Sequence, residues 1–235
     1  MKGTRLRLHG HPVSNYVNIV RAALIEKQLD HDFVETGASQ DEAFLAANPM
    51  GKIPVLETPH GWLGETVAIL DYLDDAYPER SLRPADVGDR ARSRQLINVV
   101  QVYVETPART LYHGVFGDAP NPDAIVAAAR DTLDRGTAAL ARLMQPRPFL
   151  FGDRPGQADL FAFYNLDLVD RVTRFAYGRS IAREIGTLGD WWAAMQALAS
   201  TQTAMADCRP AIAAYLAGHN GSLDPNAPSG PDADA

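Results

Sequence analysis

Leu6 and Leu8 alternate with Arg5 and Arg7, a period of two that predicts a short strand from Thr4 to Leu8. Gly10, Pro12 and Ser14 interrupt the alternation. From Val17 to Leu29 apolar residues return at helical spacing, with Val17, Val20 and Leu24 on one face. Phe33 and Val34 predict a second strand. Ser39-Gln40-Asp41-Glu42 has the form of a capping box, serine followed three residues later by glutamate, and predicts a short helix to Ala47 that Pro49 stops. Ile53 to Leu56 reads as a third strand and Gly61 to Leu63 as a fourth, edge-like one. Glu65 to Tyr77 is a helix with Ile69, Leu70 and Leu73 inward, closed by Pro78. The order β-α-β-α-β-β-α predicts an α/β domain on a mixed sheet.

After Pro84 the strand signals stop and Ala-, Leu- and Arg-rich helical stretches take over. Helices are expected at about Asp89–Tyr112, Pro122–Met144, Ala158–Arg171, Ile181–Glu184 and Asp190–Ala199, with another near Pro210–Ala217. The chain therefore divides into an α/β domain over 1–80, a linker over 81–88 and an all-helical domain over 89–220. Residues 221–235 are dominated by Pro, Gly, Asp and Ala with a single Leu, and read as a flexible tail that cannot support a core.

Composition narrows the class. At 235 residues, 46% apolar and 22% charged, the chain has the balance of a globular protein and room for two small domains. A formal net charge of -7 argues against a nucleic-acid binder. The strong preference for Arg over Lys reads as the codon usage of a GC-rich bacterial genome. One cysteine, Cys208, excludes an intramolecular disulfide framework, a CxxC redox pair and a Cys-rich metal site. Two Arg fall where a signal peptide would have its apolar core, and no apolar run approaches the ~18 residues of a membrane span. The expectation is a soluble, cytoplasmic protein.

The most informative stretch is Asn48-Pro49-Met50-Gly51-Lys52-Ile53-Pro54-Val55-Leu56. Proline at a strand's entrance removes a ladder donor. Either Pro54 opens an ordinary edge strand, or a cis Ile53–Pro54 bond turns the backbone at Val55 toward a peptide-like ligand that adds as a strand. Gly64-Glu65-Thr66 follows at a helix start, where unpaired amides suit a carboxylate. The Glu65 carboxylate suits an ammonium, so the pair fits an α-amino-acid head group; plain helix capping is the alternative. Ser14 is either the N-cap of the first helix or a hydroxyl aimed at an anion, including a thiolate, at that helix's N-terminus. His9 and His11 are expected to be loop residues rather than ligands, and no metal site is expected.

Together these elements resemble the cytosolic glutathione transferase family, in its serine-type, theta-, delta- and zeta-like branches. NPMGKIPVL and GETVAILDYL are similar to the family's cis-proline segment and its Glu-Ser at the third helix, with Thr66 in place of serine. The resemblance implies a thioredoxin-like N-terminal domain followed by an all-helical C-terminal domain. It implies Ser14 as the catalytic residue and glutathione as co-substrate, bound by Lys52, Ile53, Val55, Glu65 and Thr66 beside the structural cis-proline Pro54. Lys52 would face the glycyl carboxylate, with Ser39 and Gln40 as further candidates, and Glu65 and Thr66 would hold the γ-glutamyl end. The helical domain would form the pocket for a small hydrophobic electrophile. Asp159 would be a structural capping residue paired with Gly156. Where zeta enzymes carry Ser-Ser-Cys, this chain reads Ser14-Asn15-Tyr16, which speaks against maleylacetoacetate isomerase activity.

The implied activity is conjugation of glutathione to an electrophile, a detoxification chemistry. Peroxidase, dehalogenase or isomerase reactions at the same site, or a non-catalytic binding module, are the alternatives. The resemblance also implies a homodimer, with the helix after Glu65 and the first helix of the second domain at its interface.

Overall fold

A computed structural model of the chain describes residues 5–224 and 226–233. The predicted strand start at Thr4, and Pro225, Asp234 and Ala235 of the tail, lie outside the described residues. The chain forms two compact units. One runs through Leu82 and takes in Ala199–Cys208; the other comprises Arg83–Leu198 and the chain from Arg209 onward.

The first unit is built on a four-stranded sheet in the order β2-β1-β3-β4, from β1 (Leu6–Gly10), β2 (His31–Glu35), β3 (Val55–Thr58) and β4 (Gly61–Leu63). β1 runs parallel to β2, and β3 is antiparallel to both β1 and β4. His9 thus lies within β1 rather than in a loop, its ring 4.7 Å from that of Trp62. Its Nε2 is 3.5 Å from the Glu57 carboxylate. Helices α1 (Asn15–Glu26) and α3 (Thr66–Ala76) pack on each other, and Val17, Val20, Leu24, Ile69 and Leu73 are all 0% exposed. Full burial of one such side chain is worth about 1.5–3 kcal/mol.

Helix α2 (Glu42–Ala47) does not begin with the predicted capping box. The Ser39 hydroxyl instead donates to Asp41 Oδ2 at 2.7 Å and accepts from the Asp41 amide at 3.1 Å. That local turn consumes the serine, and Asp41 becomes the N-cap.

The second unit is all helical: α4 (Val87–Val100), α5 (Thr106–Arg109), α6 (Tyr112–Phe116), α7 (Asp123–Leu143), α8 (Gln157–Tyr177), α9 (Ile181–Ile185), α10 (Gly189–Ala197) and the latter part of α11 (Ala199–His219). The helix expected over Asp89–Tyr112 is interrupted by a π-helical turn at Gln101–Glu105. Pro107 has no amide to donate to the Tyr103 carbonyl in α-helical register. That carbonyl lies against Gly136 of α7, where a Cβ would come within 2.3 Å of the oxygen. The last helix is the larger correction: α11 begins at Ala199 and carries Pro210 in its interior, where the sequence pattern placed a helix start. An isolated proline signals a first turn or a kink equally, and here the flanking residues stay helical.

α8 is the centre of this unit, buried along Gln157–Thr173. Gly156 is its N-cap, and Asp159 accepts from the Gly156 amide (2.9 Å), the Leu150 amide (2.9 Å) and Trp191 Nε1 (2.8 Å).

The stretch read as a flexible tail docks on this unit. Leu223 is 5% exposed and its amide bonds the Val115 carbonyl. The Gly230 amide donates to Asp170 Oδ2 at 3.0 Å, and Arg174 bonds both Asp170 and the Gly230 carbonyl. Arg171 bonds Asp167, the Ala227 carbonyl and Ser229. What the tail lacks in apolar residues is supplied by charged donors and acceptors on α8 that its backbone satisfies. Among the described residues no helix is long and apolar enough to cross a membrane.

Candidate functional site

The first unit gathers the residues singled out from sequence, beginning at the start of α1. Ser14 is the N-cap of that helix, with extended backbone (φ -81°, ψ 119°). Its Oγ accepts from the Val17 amide at 3.3 Å, its amide donates to the His11 carbonyl at 3.0 Å, and its carbonyl accepts from the Asn18 amide at 3.0 Å. The capping reading is therefore correct. It does not compete with an anion-facing role, because the cap uses a lone pair of the hydroxyl and leaves its hydrogen to donate.

The second group is the turn before β3. Asn48, 4% exposed, donates from Nδ2 to the Lys52 carbonyl at 2.7 Å and accepts at Oδ1 from the Met50 amide at 3.2 Å. It also packs on Gly64, where an added Cβ would sit 2.9 Å from the Asn48 amide group. One side chain thus shapes the turn and seats it on the approach to α3. The site reasoning from sequence passed over Asn48, although an Asn-Pro step is a turn signal. Ser39 meets the same turn through its amide, which bonds the Gly51 carbonyl at 3.0 Å, and Gly51 has φ +64°.

The Ile53–Pro54 bond is cis. Val55 pairs with His9 of β1, and the β3–β4 ladder runs only from Leu56↔Leu63 to Thr58↔Gly61. Val55 therefore lies one position beyond the reach of β4 and presents strand backbone on that side. Lys52 is exposed, Ile53 half-buried, and the side chains of Pro54 and Val55 are buried.

Glu65 stands at the N-cap position of α3 with φ 62° and ψ 113°, and makes no side-chain capping bond. A non-glycine residue held there costs on the order of 1–3 kcal/mol, a strain that surrounding structure must sustain. Glu65 is exposed, while Thr66 after it is 5% exposed. The α3 N-terminus thus offers free amides, a hydroxyl and a carboxylate.

The unit accordingly carries two helix N-termini with hydroxyl residues, a strand position with open backbone, an exposed lysine and an exposed glutamate that makes no capping bond. These are the groups that a short peptide with two carboxylates, an ammonium and a thiol would need. Among the described residues no cluster of three or more His, Cys, Asp or Glu is arranged to hold a metal ion.

Comparison with known proteins shows the family. Residues 8–81 match the family described as glutathione S-transferase, N-terminal domain, and residues 123–218 match glutathione S-transferase, C-terminal domain. A glutathione S-transferase of Pseudomonas putida is 40% identical over 71% of this chain and 76% of its own length. A maleylacetoacetate isomerase of Pseudomonas aeruginosa is 29% identical over 65% of this chain and 76% of its own. Among solved structures, a glutathione S-transferase of Methylobacterium radiotolerans in complex with glutathione sulfonate is 26% identical, with a TM-score of 0.70 over 86% of this chain and 94% of that one. With both domain families matched in order, and a named transferase at this identity, the chain is an enzyme of the glutathione S-transferase family, a thioredoxin-like domain followed by a helical one.

Proposed function

We propose that this enzyme binds glutathione along Val55, ionises its thiol at Ser14 and transfers the thiolate to a small hydrophobic electrophile. The observation that carries the reading is the geometry of Ser14. Its oxygen is fixed by the Val17 amide at 3.3 Å, so the hydroxyl hydrogen is the part left to meet a sulfur at the α1 N-terminus.

Each end of the tripeptide is given a partner of complementary charge. The γ-glutamyl carboxylate takes the α3 amides and the Thr66 hydroxyl, and its ammonium takes Glu65. The cysteinyl backbone adds to Val55 after Ile53 and Pro54, and the glycyl carboxylate takes Lys52. A charge-assisted bond of about 1.5–3 kcal/mol from Ser14 lowers a thiol pKa by about one to two units. From a starting value near 8.5 that populates the nucleophilic thiolate at neutral pH. The thiol proton passes to bulk water, the thiolate attacks the electrophilic carbon, and the leaving group departs with the electron pair of its own bond.

Ser14→Ala tests this. Ultraviolet absorbance of the bound thiolate should titrate at a depressed pKa in the wild type and near the free value in the variant. Equal curves for the two proteins would remove Ser14 from the chemistry.

The isomerase relative favours a second reading at the same site. There the thiolate adds to a cis double bond, the single bond left between the two carbons allows rotation, and elimination re-forms the double bond in trans geometry and releases the thiolate. A substrate panel of aryl halides against cis-enediones separates the two. For assembly we propose a homodimer through α4, whose face carries a groove of about 610 Å³ lined in part by Arg94, Asn98, Val102 and Tyr103. Light scattering at twice the 25.5 kDa chain mass supports it, and a single-chain mass refutes it.

A further inference from the structure

Asn18 lies one turn beyond Ser14 in α1 and is 1% exposed. Its Nδ2 donates to the Pro12 carbonyl at 2.8 Å, and its backbone amide donates to the Ser14 carbonyl at 3.0 Å. One residue therefore grips the loop on both sides of Val13. Its Oδ1 is buried and has no hydrogen-bond partner among the described residues. Leaving such an acceptor unpaired is destabilising.

Nothing in local propensity recommends asparagine here. It is a poor residue for a helix interior, and its neighbours Val17, Ile19 and Val20 are each 0% exposed. Leucine of similar size would suit both the helix and the core better. What leucine lacks is the donor to Pro12. Elsewhere in the loop the Ser14 amide donates to the His11 carbonyl at 3.0 Å and the Val13 amide to His11 Nδ1 at 3.3 Å, and neither bond reaches the Pro12 carbonyl.

We propose that Asn18 is a positioning residue for the transferase reaction: its bond to the Pro12 carbonyl fixes the Pro12-Val13-Ser14 backbone so that the Ser14 hydroxyl is held at the α1 N-terminus facing the glutathione sulfur. The inference rests on the proposed role of Ser14 and extends it. Asn18 touches neither substrate nor sulfur. It acts through the loop, and the bond it protects is one whose strength falls steeply with misplacement.

Asn18→Leu removes the donor and the unpaired acceptor together. The variant should melt no lower than the wild type and keep its KM for glutathione within about threefold. The acid limb of its kcat/KM profile should move up by about one unit toward the free thiol, with about a tenfold loss of rate on that limb. A purely structural residue would lower the melting temperature and leave the pH limb in place. A limb unshifted in Asn18→Leu overturns the proposal. If that variant does not fold, Asn18→Ala carries the same expectation and the same refutation. Wild type and Ser14→Ala are titrated alongside. If those two already agree, the Ser14 reading has failed; if they differ while the Asn18 variant follows the wild type, only the present inference has failed.

Discussion

The Lys27 ammonium lies 2.6 Å from Asp74 Oδ1, and the two side chains are 1% and 0% exposed. The lysine also donates to the Arg80 carbonyl at 2.9 Å, and the same aspartate oxygen accepts from the Leu82 amide at 2.9 Å. The pair joins the end of α1 to α3 and holds down the chain that follows it. Breaking a buried pair by deleting one partner strands the other charge, at a cost of about 3–5 kcal/mol. Lys27→Met and Asp74→Asn should each lower unfolding free energy by roughly that amount in urea titrations. Replacing both at once should cost less than the sum of the single changes.

Asp159 is expected to be the most sensitive polar position of the second unit. Asp159→Ala would leave the Leu150 and Gly156 amides and the Trp191 indole without their acceptor. At about 1–3 kcal/mol for each buried donor, a loss above about 3 kcal/mol is expected by denaturant titration.

The same carboxyl gives a pH dependence. Burial pushes its pKa up, against hydrogen bonds from Gly156, Leu150 and Trp191 that pull it down. An acid raised in the folded state keeps its proton to higher pH than in the unfolded chain, so stability from this group falls as pH rises from about 4 through the raised value. Measured against Asp159→Asn, which does not titrate there, the wild type should lose relative stability as pH climbs through that window. A difference that is flat with pH would show the shift to be absent.

Ending the chain at Gly221 should destabilise the second unit by about 2 kcal/mol or more, since Asp170, Arg171 and Arg174 each lose a tail partner. Hydrogen exchange should quicken at the last turns of α8 and at α6, whose Val115 carbonyl bonds the Leu223 amide. Unchanged exchange would mean that the tail merely rests on the surface.

The sheet and its two main helices are readable in sequence because they rest on short-range period and local breakers. β1, α1 and α3 show this, each closed or opened by Gly, Pro or Ser within a few residues. Two of the readings that failed, the unbroken helix over 89–112 and the flexible tail, depend on partners far along the chain. The π turn at Gln101–Glu105 answers to Gly136, and the tail answers to charges on α8. Pro210 stays inside a helix because the residues around it remain helical. At the candidate site, Ser14, Pro54, Glu65 and Thr66 stand out because each sits at a helix start or strand entrance, a boundary that is legible in the sequence. Asn18 and Asn48 do not stand out. Each bonds the backbone of a loop, and a buried asparagine looks like any other polar residue until its neighbours are in place.

The positive φ of Glu65 sets a trap for anyone engineering this enzyme. Glycine, with no Cβ, would occupy that backbone conformation with less strain, so a search for thermal tolerance should find Glu65→Gly among its favourable single changes. The same change deletes the carboxylate assigned to the co-substrate's ammonium. Selection for robustness alone would therefore remove the carboxylate that the proposed glutathione site uses, at a position where stability and the proposed binding role pull in opposite directions.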